Sequence, residues 1–86
     1  MYTTKGALMQ LTQIAPNQTE IETSQARILF SYRTPVAAYI FGEGFVRTEQ
    51  KWSSTTSRHI NKWLRGGHDD LPECKEVPQA RLDSLV

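Results

Sequence analysis

The stretch "VAAYIF" at 36–41 restricts the fold more than any other part of the sequence. A strand that is apolar on both faces belongs in the middle of a sheet covered on both sides, or has a second face that meets a partner. Its neighbours read as strands too. In "ARILFSY", Ala26, Ile28, Phe30 and Tyr32 alternate with Arg27, Leu29 and Ser31 at the two-residue period of a half-buried strand. Thr34 precedes a proline and is pushed away from helix, so "RTP" separates the two runs. "GEG" at 42–44 suits a short hairpin connection, after which "FVRTEQKW" places Val46, Thr48, Gln50 and Trp52 on one face and Phe45, Arg47, Glu49 and Lys51 on the other. Strands are therefore expected near 26–32, 36–41 and 45–51. "ALMQLTQI" at 7–14 mixes helical and strand periods and is read as a strand, with "APNQTE" as the turn after it.

The period changes after Trp52. Ser53, Ser54 and Thr55 are competent helix N-caps and Gly66 is placed to end a helix, so "KWSSTTSRHINKWLRGG" predicts a helix over about 55–65. At 100° per residue Thr56, Ile60, Trp63 and Leu64 share one face, and Arg58, Lys62 and Arg65 lie opposite within about 60°. Trp52 and Trp63 are expected in the core. "GGHDDLPECKE" reads as a loop, and "VPQARLDSLV" as a short helix that must dock, with Leu82, Leu85 and Val86 at helical spacing. The expected fold is α+β: a small antiparallel meander of three to four strands, one amphipathic helix packed on one face, and a short C-terminal helix. One domain is expected over 1–86, with a core at 7–66, an acidic loop at 67–76 and the C-terminal helix at 77–86.

The sequence has no apolar run of eighteen residues, and "MYTTKGALMQLTQIAPNQ" lacks the pattern of an export signal. A soluble, intracellular protein without a membrane partner is expected. Cys74 is the only cysteine, which rules out an intramolecular disulfide. The net charge of +1 conceals a division. Residues 1–44 balance; 45–67 carry Arg47, Lys51, Arg58, Lys62 and Arg65 against Glu49, for +4; 68–86 carry Asp69, Asp70, Glu73, Glu76 and Asp83 against Lys75 and Arg81, for −3.

Three chemistries compete for these residues. Arg58, Lys62 and Arg65, joined by Arg47 and Lys51, form a candidate nucleic-acid site, because cations one helical turn apart can follow a phosphate backbone. Arg27, Tyr39 and Phe41 would add a base-stacking sheet face if the strand register brings them together. The plainer account is a solvated face, which must be polar somewhere. A metal at His59, His68, Asp69, Asp70, Glu73 and Cys74 is disfavoured, since one cysteine among scattered carboxylates does not match zinc-ligand spacing. Catalysis by a hydroxyl residue at 53–57 with His59 as base is also disfavoured: capping explains the hydroxyls, and no third residue orients the histidine. No cofactor and no enzymatic activity are expected.

The run "YRTPVAAYIFGEGFVRTEQKWSSTTSRHINKWL" at 32–64 resembles a family of small uncharacterised domains associated with bacteriophage and mobile-element genomes. The resemblance rests on Tyr32, Thr34, Pro35, Val36, Ala37, Arg47, Thr48, Ser53, Thr55, Thr56, Ser57, His59, Ile60, Trp63 and Leu64. It implies a phage-type context, in the cytoplasm of a bacterial host, and a strand–strand–helix unit, with no activity attached. Together these features favour a non-enzymatic interaction module that binds nucleic acid through its basic helix face. The alternative is a protein-binding inhibitor or modulator of a host factor, acting through that helix or the acidic 68–76 segment. A homodimer is left open.

Overall fold

The computed structural model describes residues 10–86. It contains β1 (Gln10–Ala15), β2 (Gln18–Glu22), β3 (Ala26–Ser31), β4 (Thr34–Ile40), β5 (Gly44–Thr48), α1 (Ser54–Arg65), β6 (Cys74–Val77) and α2 (Gln79–Asp83). The strands form one six-stranded sheet in the order β1-β2-β3-β4-β5-β6. The first five pair antiparallel, and β6 lies parallel to β5. Parallel neighbours need a crossover rather than a hairpin, and α1 provides it.

This architecture corrects the expected three- to four-stranded antiparallel meander with one amphipathic helix packed on one face and a short C-terminal helix. The sheet is larger and mixed, and a helix lies on each of its faces. "QTEIE", expected as part of a turn, is β2; its turn shrinks to Pro16 and Asn17, with Asn17 in the left-handed region at φ 63°. "CKEV", expected as loop, is β6. Of the strand expected at 7–14, residues 7–9 lie outside the described residues, and β1 begins at Gln10.

The two faces have separate cores. Ala26 and Ile28 of β3, Ala38 and Ile40 of β4, Val46 of β5 and Val77 of β6 pack with Leu82 of α2. On the other face Leu29, Val36 and Ala37 pack with Ile60 and Leu64 of α1, flanked by Phe45, Trp63 and Cys74. A bulge makes this division possible. Leu29 pairs with Ala37 but Phe30 pairs with Pro35, so Val36 is an extra residue that breaks the alternation and joins Ala37 on the α1 side.

Helix α1 starts where Ser53 Oγ accepts the backbone N–H of Thr56 at 3.1 Å. It stops at Gly66, whose φ of 56° suits a residue without Cβ and whose N–H donates to the Lys62 carbonyl. Helix α2 has only five residues and depends on tertiary contacts. Leu82 is fully buried, Gln79 Nε2 donates to the Pro35 carbonyl at 2.6 Å, and Arg81 Nη2 donates to both Glu43 carboxylate oxygens at 2.8 and 2.9 Å. Trp52, expected in the core, is 46% exposed beyond the end of β5, where its indole N–H donates to Gln79 Oε1.

Because Leu82 completes one of the two cores, Leu82→Ala is expected to cost about 2–5 kcal/mol in chemical denaturation. A cost under about 1 kcal/mol, typical of surface positions, would contradict this placement of α2.

Candidate nucleic-acid interface

The inner face of α1 fixes what its outer face can do. Thr56, Ile60 and Leu64 are buried against the sheet, and the helical repeat then turns Arg58, Lys62 and Arg65 to solvent. The two ion pairs among the described residues, Arg27–Glu20 and Arg81–Glu43, involve none of these three cations. Lys62 and Arg65 stand in the last turn of the helix, where positive charge also offsets the helix dipole.

Arg47 and Lys51 are held apart from that stripe. Arg47 is half-buried, donates from Nη1 to Asn61 Oδ1 at 3.0 Å, and faces Glu76 across the β5–β6 pair. With Lys51 it lines a cleft of about 410 Å³ on the β5 flank of α1, shared with Glu49, Glu76 and Asn61. Two carboxylates in that cleft weaken its attraction for phosphate. The five expected site residues therefore divide into an open stripe of three and a partly neutralised pair.

The strand register does bring the aromatic residues together. Arg27 and Tyr39 are direct cross-strand partners, as are Tyr39 and Phe45. The Tyr39 ring lies 5.9 Å from Phe41 and 4.8 Å from Phe45, and Phe45 meets Trp63 edge-on at 6.1 Å. This aromatic row continues the sheet face past the end of α1. Beside it is a second cleft of about 490 Å³, whose walls include Arg27, Phe45, Trp63, Arg65, His68 and Leu71.

Glu20, which sequence reasoning passed over, ties this region together. Its carboxylate accepts from the Trp63 indole N–H at 2.8 Å and from Arg27 Nε and Nη2 at 3.2 and 3.4 Å. Burial alone would raise its pKa, but the hydrogen bonds from Arg27 and Trp63 outweigh it and hold the carboxyl below its ordinary value of 4.5. No local motif marks Glu20, because its partners come from β3 and α1 and only the folded chain assembles them.

At the other end of α1 two of the hydroxyl residues at 53–57, Ser53 and Thr56, have structural partners. Ser31 Oγ lies 2.9 Å from His59 Nδ1 and 3.3 Å from Thr56 Oγ1, and Ser53 Oγ donates to Thr56 Oγ1 at 3.2 Å. Ser31 is 2% exposed and Thr56 5%, so neither hydroxyl is open to a substrate. The network satisfies polar groups where α1 crosses β3. In the 68–74 segment no three His, Cys, Asp or Glu side chains converge on a metal position among the described residues. Burial pushes the Cys74 thiol up from its ordinary value, with Arg47 partly opposing and Glu76 reinforcing the shift. Among the described residues no helix is long and apolar enough to cross a membrane.

Residues 9–83 match the model of a family of unknown function, DUF8033, and the chain belongs to that family. Comparison with curated proteins and with solved structures gives no match. That match does not show the association with bacteriophage and mobile elements that the resemblance implied.

The depressed pKa of Glu20 makes its contribution to stability pH-dependent. It is present above the unfolded value near 4.5 and is lost as pH falls through the lower folded value. Glu20→Gln is expected to lower stability at pH 7 by about 1–2 kcal/mol, the exposed Arg27 end adding little. The gap between parent and variant should close in acid, which denaturation at a series of pH values would measure; a gap independent of pH would contradict the ionised hydrogen-bond network.

Proposed function

We propose that this DUF8033 member is a non-enzymatic interaction module that binds nucleic acid through the outer face of α1. Arg58, Lys62 and Arg65 are the phosphate contacts. Arg47 and Lys51 are a secondary, weaker patch on the helix flank. The observation that carries this reading is a solvent-facing row of three cations on a helix whose opposite side is packed, ending beside the aromatic row of Tyr39, Phe41, Phe45 and Trp63. Phosphate binding needs no enclosed pocket: the cations release counterions from the strand, and the helix that carries them, packed on the sheet, keeps their spacing. The setting we propose, from the Tyr-x-Thr-Pro-Val-Ala strand and the Ser-x-Thr-Thr-Ser-x-His-Ile-x-x-Trp-Leu helix, is a phage or mobile-element product acting in the cytoplasm of a bacterial host.

A second reading, a modulator that docks on a host protein, draws on a different region. Tyr32 and Trp52 are 54% and 46% exposed and border a hollow of about 340 Å³ at the N-terminal end of α1. Tyr32 also holds a left-handed φ of 60°, an uncommon conformation for a bulky residue and one that keeps it at the tip of the β3–β4 turn. An exposed aromatic pair of this kind suits an apolar partner surface better than a phosphate chain.

Oligonucleotide binding across a salt series separates the two. Replacing Arg58, Lys62 and Arg65 together with Gln avoids placing carboxylates at the C-terminal end of the helix dipole. The triple variant is expected to lose most of its affinity, and the slope of log affinity against log salt should fall by roughly 2–3. Its thermal midpoint should stay close to the parent's. Equal binding by parent and variant, or no binding by the folded parent at low salt, would transfer the assignment to the protein-docking reading.

A further inference from the structure

The cleft at the C-terminal end of α1 combines two kinds of wall. Phe45, Trp63 and Leu71 supply apolar surface, Leu71 being 45% exposed, while Arg27, Arg65 and His68 supply nitrogen donors. Its volume of about 490 Å³ falls within the ~300–1,000 Å³ typical of small-ligand sites. Two of the walls are held in place in advance. The Trp63 ring is fixed by its indole N–H bond to Glu20 and by its edge contact with Phe45, and the Arg27 guanidinium is bound by the same Glu20 carboxylate. Arg65 belongs both to this cleft and to the outer row of α1, so a phosphate chain that follows the row arrives at the cleft mouth.

We propose that the cleft receives an unpaired nucleobase, which makes the ligand of this protein a single strand rather than a duplex. This rests on the nucleic-acid reading of the helix face and narrows it. The base lies against Trp63 and Leu71, and the adjoining phosphate is held by Arg65. A duplex keeps its bases stacked inside and gives the cleft nothing to bind. Arg27 is already paired with Glu20, which leaves Arg65 as the cation free to meet a phosphate, and Asp70 in the lining offers an acceptor to a base N–H.

Three strands of about ten nucleotides test it against the full-length protein: oligo-deoxythymidine, an abasic strand with the same number of phosphates, and a duplex. The expected result is that oligo-deoxythymidine binds roughly tenfold or more tighter than the abasic strand, the order that base–aromatic stacking supplies. In a Trp52→Phe background the same titration should quench the remaining Trp63 fluorescence. Trp63→Leu should bring the two affinities together. Leu71→Ser, at an exposed loop position, should reduce their ratio even if the Trp63 variant fails to fold. Equal affinity of the parent for abasic and base-carrying strands, or a ratio unchanged by Leu71→Ser, overturns the base-binding cleft while leaving phosphate binding by α1 in place. Failure of all three strands to bind at low salt overturns the helix-face reading, and this inference with it.

Discussion

Strand β4 must be buried on both sides, and the rest of the structure follows from that demand. Val36, Ala37, Ala38 and Ile40 are all buried, and they divide between the two cores. A sheet of this size gains roughly 25 cal/mol for each Å² of apolar surface it hides, so leaving either side of β4 open would forfeit much of its stability. The chain meets the demand with two helices. Placing α1 on one face requires the chain to cross over, which makes β6 parallel; returning from β6 brings α2 onto the other face. The Val36 bulge adjusts the alternation so that both helices find an apolar surface beneath them.

Coverage by α1 is incomplete, and the candidate site lies where it ends. The helix stops at Gly66, while the sheet face continues through Arg27, Tyr39 and Phe45. Glu20 works at this margin: one carboxylate orients an indole and a guanidinium from two different elements. The acidic segment at 68–86 is constrained by the same architecture. Cys74–Val77 is built into the sheet and Leu82 into the core, so the acids left in the connection, Asp69, Asp70 and Glu73, stay on the loop that leaves the C-terminal end of α1.

The parts that could be read from the sequence are those whose burial imposes a period. β3 alternates, β4 is apolar throughout, and α1 carries both capping signals and a 3.6-residue repeat, so their positions were visible without coordinates. β6 was not visible, because a four-residue edge strand with Lys75 and Glu76 exposed buries too little to leave a pattern. β2 was hidden for a related reason: Glu20 and Glu22 interrupt its apolar content, and Glu20 is there for a long-range hydrogen bond rather than for solvent. Trp52 illustrates the opposite error: an aromatic residue expected in the core from its place at the end of the strand pattern lies outside it, because β5 stops at Thr48. Within the candidate site, the outer row of α1 could be read from helical geometry, whereas the separation of Arg47 from that row depends on Asn61 and Glu76, which only the β5–α1–β6 crossover places beside it.

The three cations of α1 do not carry equal weight as evidence. Lys62 and Arg65 occupy the last helical turn, where each gains about 0.3–1 kcal/mol from the helix dipole, so their presence has a structural cause that needs no ligand. Arg58 sits in the N-terminal half of the helix, where the dipole does not favour a cation. The described hydrogen bonds and ion pairs give its guanidinium no protein partner, and the buried residues Thr56, Ile60 and Leu64 leave it outside the packing. Stability therefore accounts for two of the three charges. Arg58 gains nothing from the dipole, so it is the residue at which a solvated face and a phosphate-binding face differ most.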